Sequence, residues 1–209
     1  MTSSVRELAT PGGPGRAHVE RPRSARGTVV LSHGAGGGIG ALDLSLARDV
    51  LASRGWAVVL VEQPWLVAGR RVAGPPSSLD AAWVPLVEAV LTGRGRLPRP
   101  LVVGGRSAGA RVACRTAETL QADGALLLSF PLHPPGRPER LRADELALAP
   151  APAAIVQGTR DPFGTPAEVA AYVGPGTTVH PVAGAHTFPT SAAPALRAAF
   201  EEIAGMLPG

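Results

Sequence analysis

Short apolar runs punctuate the chain at 28–31, 57–61, 101–103, 125–128, 153–156 and 178–182. Runs of this length, bounded by Gly, Pro and polar residues and separated by stretches of helical period, predict strands of a parallel sheet joined by helices. The first connecting stretch, 41–54, carries Leu42, Leu46 and Val50 beside Leu44, Ala47 and Leu51, one buried stripe closed by Gly55. A second helix is predicted over 78–92, where Trp83, Leu86, Val87 and Val90 recur at helical spacing, with Pro85 placed near a first turn or a kink. A third begins at Ser107 and runs to 120, with Ala110, Ala113, Cys114 and Ala117 on one face, small enough to lie close to a sheet. Shorter helices are expected at 140–148 and 166–172, and a closing one at 192–207 with Leu196, Ala199, Phe200, Ile203 and Leu207 inward. Residues 1–15 show little hydrophobic content and read as a flexible leader, with a short edge strand near 17–20 and a single domain over 16–209.

Composition sharpens this. A chain of 209 residues that is 45% hydrophobic can bury one substantial core but is short for two domains. Aromatic residues are only 4%, so the core must be filled by small aliphatic side chains, which suits helices laid on a sheet. All twenty basic residues are Arg, yet the net charge of +4 is modest and the arginines are interspersed with acids. No aromatic interleaving marks a nucleic-acid-binding surface, whereas an anionic substrate is compatible with the charge. The single Cys114 can form no internal disulfide and reads as a small buried hydrophobe. No stretch reaches membrane-spanning length without Gly, Pro or charge, and no signal-peptide pattern opens the chain, so a soluble cytoplasmic protein is expected. Monomer and homodimer are both compatible with the sequence.

The sharpest chemical feature is Gly105-Arg106-Ser107-Ala108-Gly109, set between the run at 101–103 and a predicted helix. A serine on a tight strand-to-helix turn exposes its hydroxyl only if the residues two before and two after are tiny, and Gly105 and Gly109 meet that demand. The helix N-terminus beneath it places backbone N–H groups where an oxyanion would develop. A second glycine-rich turn, Ser32-His33-Gly34-Ala35-Gly36-Gly37-Gly38, follows the run at 28–31. It supplies the second donor, so the oxyanion hole is assigned to the amides of Ala35 and Ala108. A dinucleotide loop would need Gly where Ile39 stands, and a phosphate loop would need a Lys the chain lacks. Asp161, in Thr159-Arg160-Asp161-Pro162, follows the run at 153–156. Asp before Pro is more often a turn former, but His186, in Gly184-Ala185-His186-Thr187, follows the last run and completes the chain order Ser, Asp, His. In this reading Ser107 is the nucleophile, His186 its general base, and Asp161 the group that holds the imidazole tautomer.

Of the other histidines, His18 and His180 read as exposed or packing residues, and His33 as shaping the oxyanion loop. His133, in Ser129-Phe130-Pro131-Leu132-His133-Pro134, falls on a loop at the carboxyl edge of the sheet, where ligands bind in such folds. His33, Gly34, Arg106 and His133 are therefore the candidate substrate-binding residues. Arg160 and the pair Arg70-Arg71 are further candidates for an anionic substrate, against the alternative of solvation or pairing with residues such as Glu62. No His, Cys or carboxylate pair has metal-ligand spacing, so neither a metal nor another cofactor is expected.

The set His33-Gly34, Gly105-Arg106-Ser107-Ala108-Gly109, Asp161 and Ala185-His186 resembles the α/β-hydrolase superfamily, including its small dienelactone-hydrolase-like members. Gly104-Gly105-Arg106-Ser107-Ala108-Gly109-Ala110-Arg111, with Ser129-Phe130-Pro131-Leu132-His133-Pro134 and Leu141-Arg142-Ala143-Asp144-Glu145-Leu146, is more similar still to the testis-expressed α/β-hydrolase-like family and its bacterial relatives. The likeness spans 28–207 and implies an α/β-hydrolase fold, a doubly wound, mostly parallel sheet with helices on both faces. It implies fold and triad far better than substrate. No insertion after Leu128 is long enough for a lid, so a shallow, open pocket is expected. The function expected is a serine hydrolase of carboxylesterase type, acting on a small-molecule acyl substrate through an acyl-enzyme. The alternatives are a non-catalytic binding or scaffold protein of the same fold and an acyltransferase using the same site.

Overall fold

The computed structural model describes residues 1–70 and 72–208; Arg71 lies outside them. Among these residues, eight strands form one sheet: β1 (Thr2–Thr10), β2 (Gly13–Arg21), β3 (Thr28–Ser32), β4 (Ala57–Glu62), β5 (Leu101–Arg106), β6 (Gly124–Leu128), β7 (Ala153–Gly158) and β8 (Thr177–Val182). Their order is β1-β2-β4-β3-β5-β6-β7-β8, with β1 and β2 antiparallel to their neighbours and β3 to β8 parallel. Every apolar run of the sequence is a strand.

The central strands β3, β5, β6 and β7 are buried at every residue because both faces are covered. Along β3, Val30 faces one core while Val29 and Leu31 face the other, the two-residue alternation of a pleated strand. The first core is closed by α3 (Pro76–Leu91) and α4 (Ala108–Thr116), through Trp83, Leu86, Val87, Ala110 and Ala113. The second is closed by α1 (Leu42–Ser53) and α7 (Ala193–Met206), through Leu44, Ala47, Leu51, Leu196, Phe200 and Ile203. This is the doubly wound arrangement expected. Short helices α2 (Pro64–Val67), α5 (Ala143–Leu146) and α6 (Pro166–Ala170) fill connections at the carboxyl ends of strands.

Three expectations change. Residues 1–15 are not a loose leader: β1 and β2 pair in register from Thr2↔Arg21 to Thr10↔Gly13, so the edge strand is β1, and β2 lies inside, against β4. Polar Arg6 and Glu7 and a scarcity of apolar residues concealed β1, an edge strand that needs little burial. The turn itself carried a signal, Pro11-Gly12, with Gly13 at φ +107° and the Thr10 hydroxyl donating to Gly13 O at 2.7 Å. Pro85 stands inside α3, which begins on Pro76 and continues through it, so packing of Trp83, Leu86 and Val87 outweighs one missing backbone hydrogen bond. The helix expected over 140–148 shrinks to the four residues of α5.

The connection from β6 to β7 contains a single helix, the four-residue α5. No helix among the described residues is long and apolar enough to cross a membrane.

Candidate active site

β3 and β5 are neighbours, and the chain leaves β4 to return on the far side of β3, so their carboxyl ends flank the point where the strand order reverses. Crevices of this kind are where open α/β sheets bind ligands. The turn after β5 puts Ser107 there, at φ +53° and ψ −109°, a region costing about 1–3 kcal/mol that persists only when the surroundings enforce it. They do so by close packing. A Cβ on Gly105, which has φ +149°, would sit 2.4 Å from Ser32 O, and one on Gly109 would sit 2.5 Å from the same oxygen. Only glycine at both positions lets the turn approach β3 so closely.

Ser107 is the N-cap of α4, where a serine hydroxyl ordinarily accepts from the helix's free N–H groups. Its side chain makes no such bond. Its Oγ lies instead 2.8 Å from His186 Nε2, on the loop after β8. The other ring nitrogen of His186, Nδ1, lies 2.9 Å and 3.1 Å from the two carboxylate oxygens of Asp161, on the loop after β7. A carboxylate only accepts, so Nδ1 carries the proton and Nε2 is left as acceptor for the serine hydroxyl.

Asp161 is buried and held from several sides. Phe163 N–H donates to its Oδ1 at 2.9 Å, and Gln157 Nε2 donates to its Oδ2 at 3.2 Å while also reaching Gly164 O and Phe130 O. The Phe163 ring lies 4.2 Å from the His186 ring, centroid to centroid, forming one wall. The imidazole is thus fixed by its hydrogen bond to a carboxylate, a ring contact and a third device, Arg106. The Arg106 Nη2 donates to His186 O at 2.6 Å and to Thr187 Oγ1 at 2.9 Å, while its Nε lies 3.2 Å from the buried Asp43 of α1. Burial pushes the Asp43 carboxyl up from its ordinary range, and the Arg106 charge and the Leu44 amide only partly offset that.

A cleft of about 400 Å³ opens over Ser107. Ala35 and Ala108 both line it, and as the first residue of α4 Ala108 has an N–H with no acceptor within the helix. The candidate substrate-binding residues fare differently. Arg106 reaches the cleft wall, but its guanidinium is spent on Asp43 and the His186 loop. Gly34 packs behind Ser107, where an added Cβ would be 3.3 Å from the Ser107 Cβ. His33 is buried, donating from Nδ1 to Gly34 O at 2.9 Å and accepting the Gln63 N–H at 3.1 Å on Nε2, edge-on to Trp65. Burial pushes its pKa down, so it is a neutral strut of the glycine loop. His133 also faces away: its ring is buried, its Nδ1 donates to Pro134 O at 3.0 Å, and its Nε2 points to Glu168 at 3.7 Å.

Arg160 is exposed and Arg70 lines a neighbouring depression, neither lining the cleft over Ser107, and Glu62 pairs with His18 at 2.8 Å. The sequence reading missed Arg111, Arg142, Phe163 and Thr187, which do line it. Phe163 and Thr187 stand within two residues of Asp161 and His186, and Arg111 one helical turn after Ser107, proximities that could have found them; Arg142 is brought in only by tertiary packing. Among the described residues no group of three or more His, Cys, Asp or Glu is arranged to hold a metal ion.

Residues 25–195 match the family described as alpha/beta hydrolase domain. No curated protein matches the chain. Among solved structures, an α/β serine hydrolase without a lid from Xanthomonas campestris is similar over 99% of this chain and 96% of its own, with a TM-score of 0.77 and 21% identity. An α/β serine hydrolase homologue from Coxiella burnetii is similar over 97% and 98%, with a TM-score of 0.78 and 17% identity. A cold-adapted esterase from an Arctic intertidal metagenomic library is similar over 99% and 94%, with a TM-score of 0.73 and 16% identity.

Proposed function

The chain belongs to the α/β-hydrolase domain family, and from that premise we propose that it is a serine hydrolase of carboxylesterase type. The observation that carries the reading is the Ser107 hydroxyl, which stands at a helix N-cap yet forgoes the helix for the free nitrogen of an imidazole whose other nitrogen is locked to a buried carboxylate. The similarity of 104–111 and 129–134 to the testis-expressed α/β-hydrolase-like family and of the whole site to dienelactone-hydrolase-like enzymes supports the same roles.

In this reaction Ser107 Oγ attacks the acyl carbon of an ester as His186 Nε2 takes its proton. The carbonyl π electrons move to oxygen, and the oxyanion is received by the amides of Ala35 and Ala108. Asp161 stabilises the imidazolium without taking its proton. Collapse of the adduct breaks the bond to the leaving alkoxide, which collects the proton from Nε2, and leaves an acyl group on Ser107. Water repeats the sequence with its proton passing through His186, releasing the acid and restoring the hydroxyl. The lidless edge suits small substrates that need no enclosure.

Steady-state hydrolysis of short-chain aryl esters tests the proposal. Turnover by the native chain, reduced on the order of 10³-fold or more in Ser107→Ala, is the expected result. Equal rates for the two proteins would reject it.

A further inference from the structure

Three arginines, Arg106, Arg111 and Arg142, line the cleft, and a fourth, Arg115, shares Glu145 with Arg111 without lining it; three of the four have a carboxylate partner. Arg106 faces Asp43, Arg111 grips Glu145 with bonds of 2.6 and 2.7 Å, and Arg115 grips Asp80 at 2.8 and 2.7 Å while adding a 3.1 Å bond to Glu145. Arg142 differs. Its Nη1 donates to Pro131 O at 2.8 Å, and no carboxylate among the described residues pairs with it. Its backbone is pinned by its own N–H donating to Leu132 O at 2.7 Å, so the side chain rises from a fixed point. It lines the same cleft as Ser107 and His186, beside Arg111, and among the described residues no acid lines that cleft.

Burial pushes the Arg142 guanidinium's pKa down, and the charge of Arg111 adds to that, against a smaller opposing pull from Glu145. The group stays cationic, since a guanidinium does not deprotonate in proteins at ordinary pH. A half-buried cation facing a second cation has an unmet demand for an anion, and its planar fork, with one edge used by a carbonyl, offers the remaining donors to a carboxylate.

We propose that Arg142 is the carboxylate-binding residue of this cleft, so that the preferred substrates are small esters bearing a free carboxylate beyond the scissile bond. This rests on the assignment of Ser107 as nucleophile. The one arginine of the cleft without a carboxylate partner among the described residues fits a monoanion, and the open rim accepts it on either the acyl or the alcohol side.

Two matched pairs of esters test it. In the first, the p-nitrophenyl monoester of glutarate is compared with p-nitrophenyl pentanoate; in the second, the butyrate ester of glycolate is compared with ethyl butyrate. The readout is the ratio of kcat/KM, anionic over neutral, within each protein. The native chain is expected to favour the anionic member in at least one pair by about tenfold or more, mainly through KM, and the ratio to fall as salt screens the pairing. In Arg142→Gln the ratio should fall about tenfold, and Arg142→Lys should recover part of it. Turnover without an anionic preference, or a preference that survives Arg142→Gln, overturns the assignment of Arg142 alone. Failure of the native chain to turn over any of the four esters overturns the assignment of Ser107 and this one with it. Should Arg142→Gln misfold, the same ratio in Arg142→Met decides the matter.

Discussion

Ser107 is held in a sparsely populated backbone conformation by two contacts that no side chain survives, Gly105 and Gly109 against Ser32. Gly105→Ala should therefore lower stability by about 3 kcal/mol or more, combining a positive φ with a backbone clash, and a urea melt reads this directly. A melt unchanged from the native one would mean the turn relaxes freely. Asp161, the acid of the proposed triad, accepts from Phe163 N–H and Gln157 as well as from His186, so its replacement should leave the fold intact but not the tautomer. Asp161→Asn is predicted to lower kcat on short aryl esters on the order of 10³- to 10⁴-fold with little change in KM. Steady-state kinetics checks it, and a kcat within a few-fold of native would remove Asp161 from the mechanism. These residues were legible in the sequence because each sits in a local pattern: a Gly-flanked serine, an Asp after a strand, a His after the last strand. Arg106 was legible only as a charge. Its job, tying Asp43 of α1 to the carbonyl of His186, depends on elements far apart in the chain.

At the scale of elements, α3, α4 and α5 are tied at the cleft edge by Asp80, Arg111, Arg115 and Glu145. Burial works to raise the Glu145 carboxyl pKa, but hydrogen bonds and charge from Arg111 and Arg115 outweigh it and hold the pKa below its usual value. A depressed folded-state pKa means that the stabilisation is present above the unfolded carboxyl pKa, near about 4.3, and is lost as pH falls through the folded value. Glu145→Gln should cost about 1–3 kcal/mol at neutral pH, and the gap from the native chain should close under acid. Urea midpoints at pH 7 and near pH 3 check the sign, and a gap that widens under acid would reverse the argument. None of this network could be read from the sequence, because its members stand on three elements far apart along the chain and meet only through packing, although a helix was expected where α5 forms. The short α2, Pro64–Val67, escaped because a single turn carries no periodicity. Longer helices were readable where a stripe of apolar residues spans several turns, as in α1 and α7, and Pro85 misled because its penalty is smaller than the packing gained around it.

The whole molecule is a sheet with two cores, and both of its ends matter for the site. The β1–β2 hairpin extends the sheet beyond β4, whose carboxyl end runs on through Gln63, the residue that donates to His33 under the glycine loop. Deleting residues 1–10 removes β1, exposes β2 as a nine-residue edge, and takes away Leu8 from the first core. The shortened chain should melt at lower urea and self-associate, which sedimentation would register, since an open edge strand pairs with other chains. An unchanged midpoint would make the hairpin an accessory. The doubly wound sheet was legible from alternating strands and helices, whereas the hairpin was not, because an edge strand of polar residues leaves almost no hydrophobic trace.

All of these scales meet at one hydroxyl, and reaction with a fluorophosphonate followed by peptide mapping interrogates it most directly. The account predicts a phosphonyl adduct on the peptide containing Ser107, formed by the native chain, lost in Ser107→Ala and much slower in His186→Ala. An unlabelled Ser107 in folded protein, or labelling that persists without the imidazole, would contradict it.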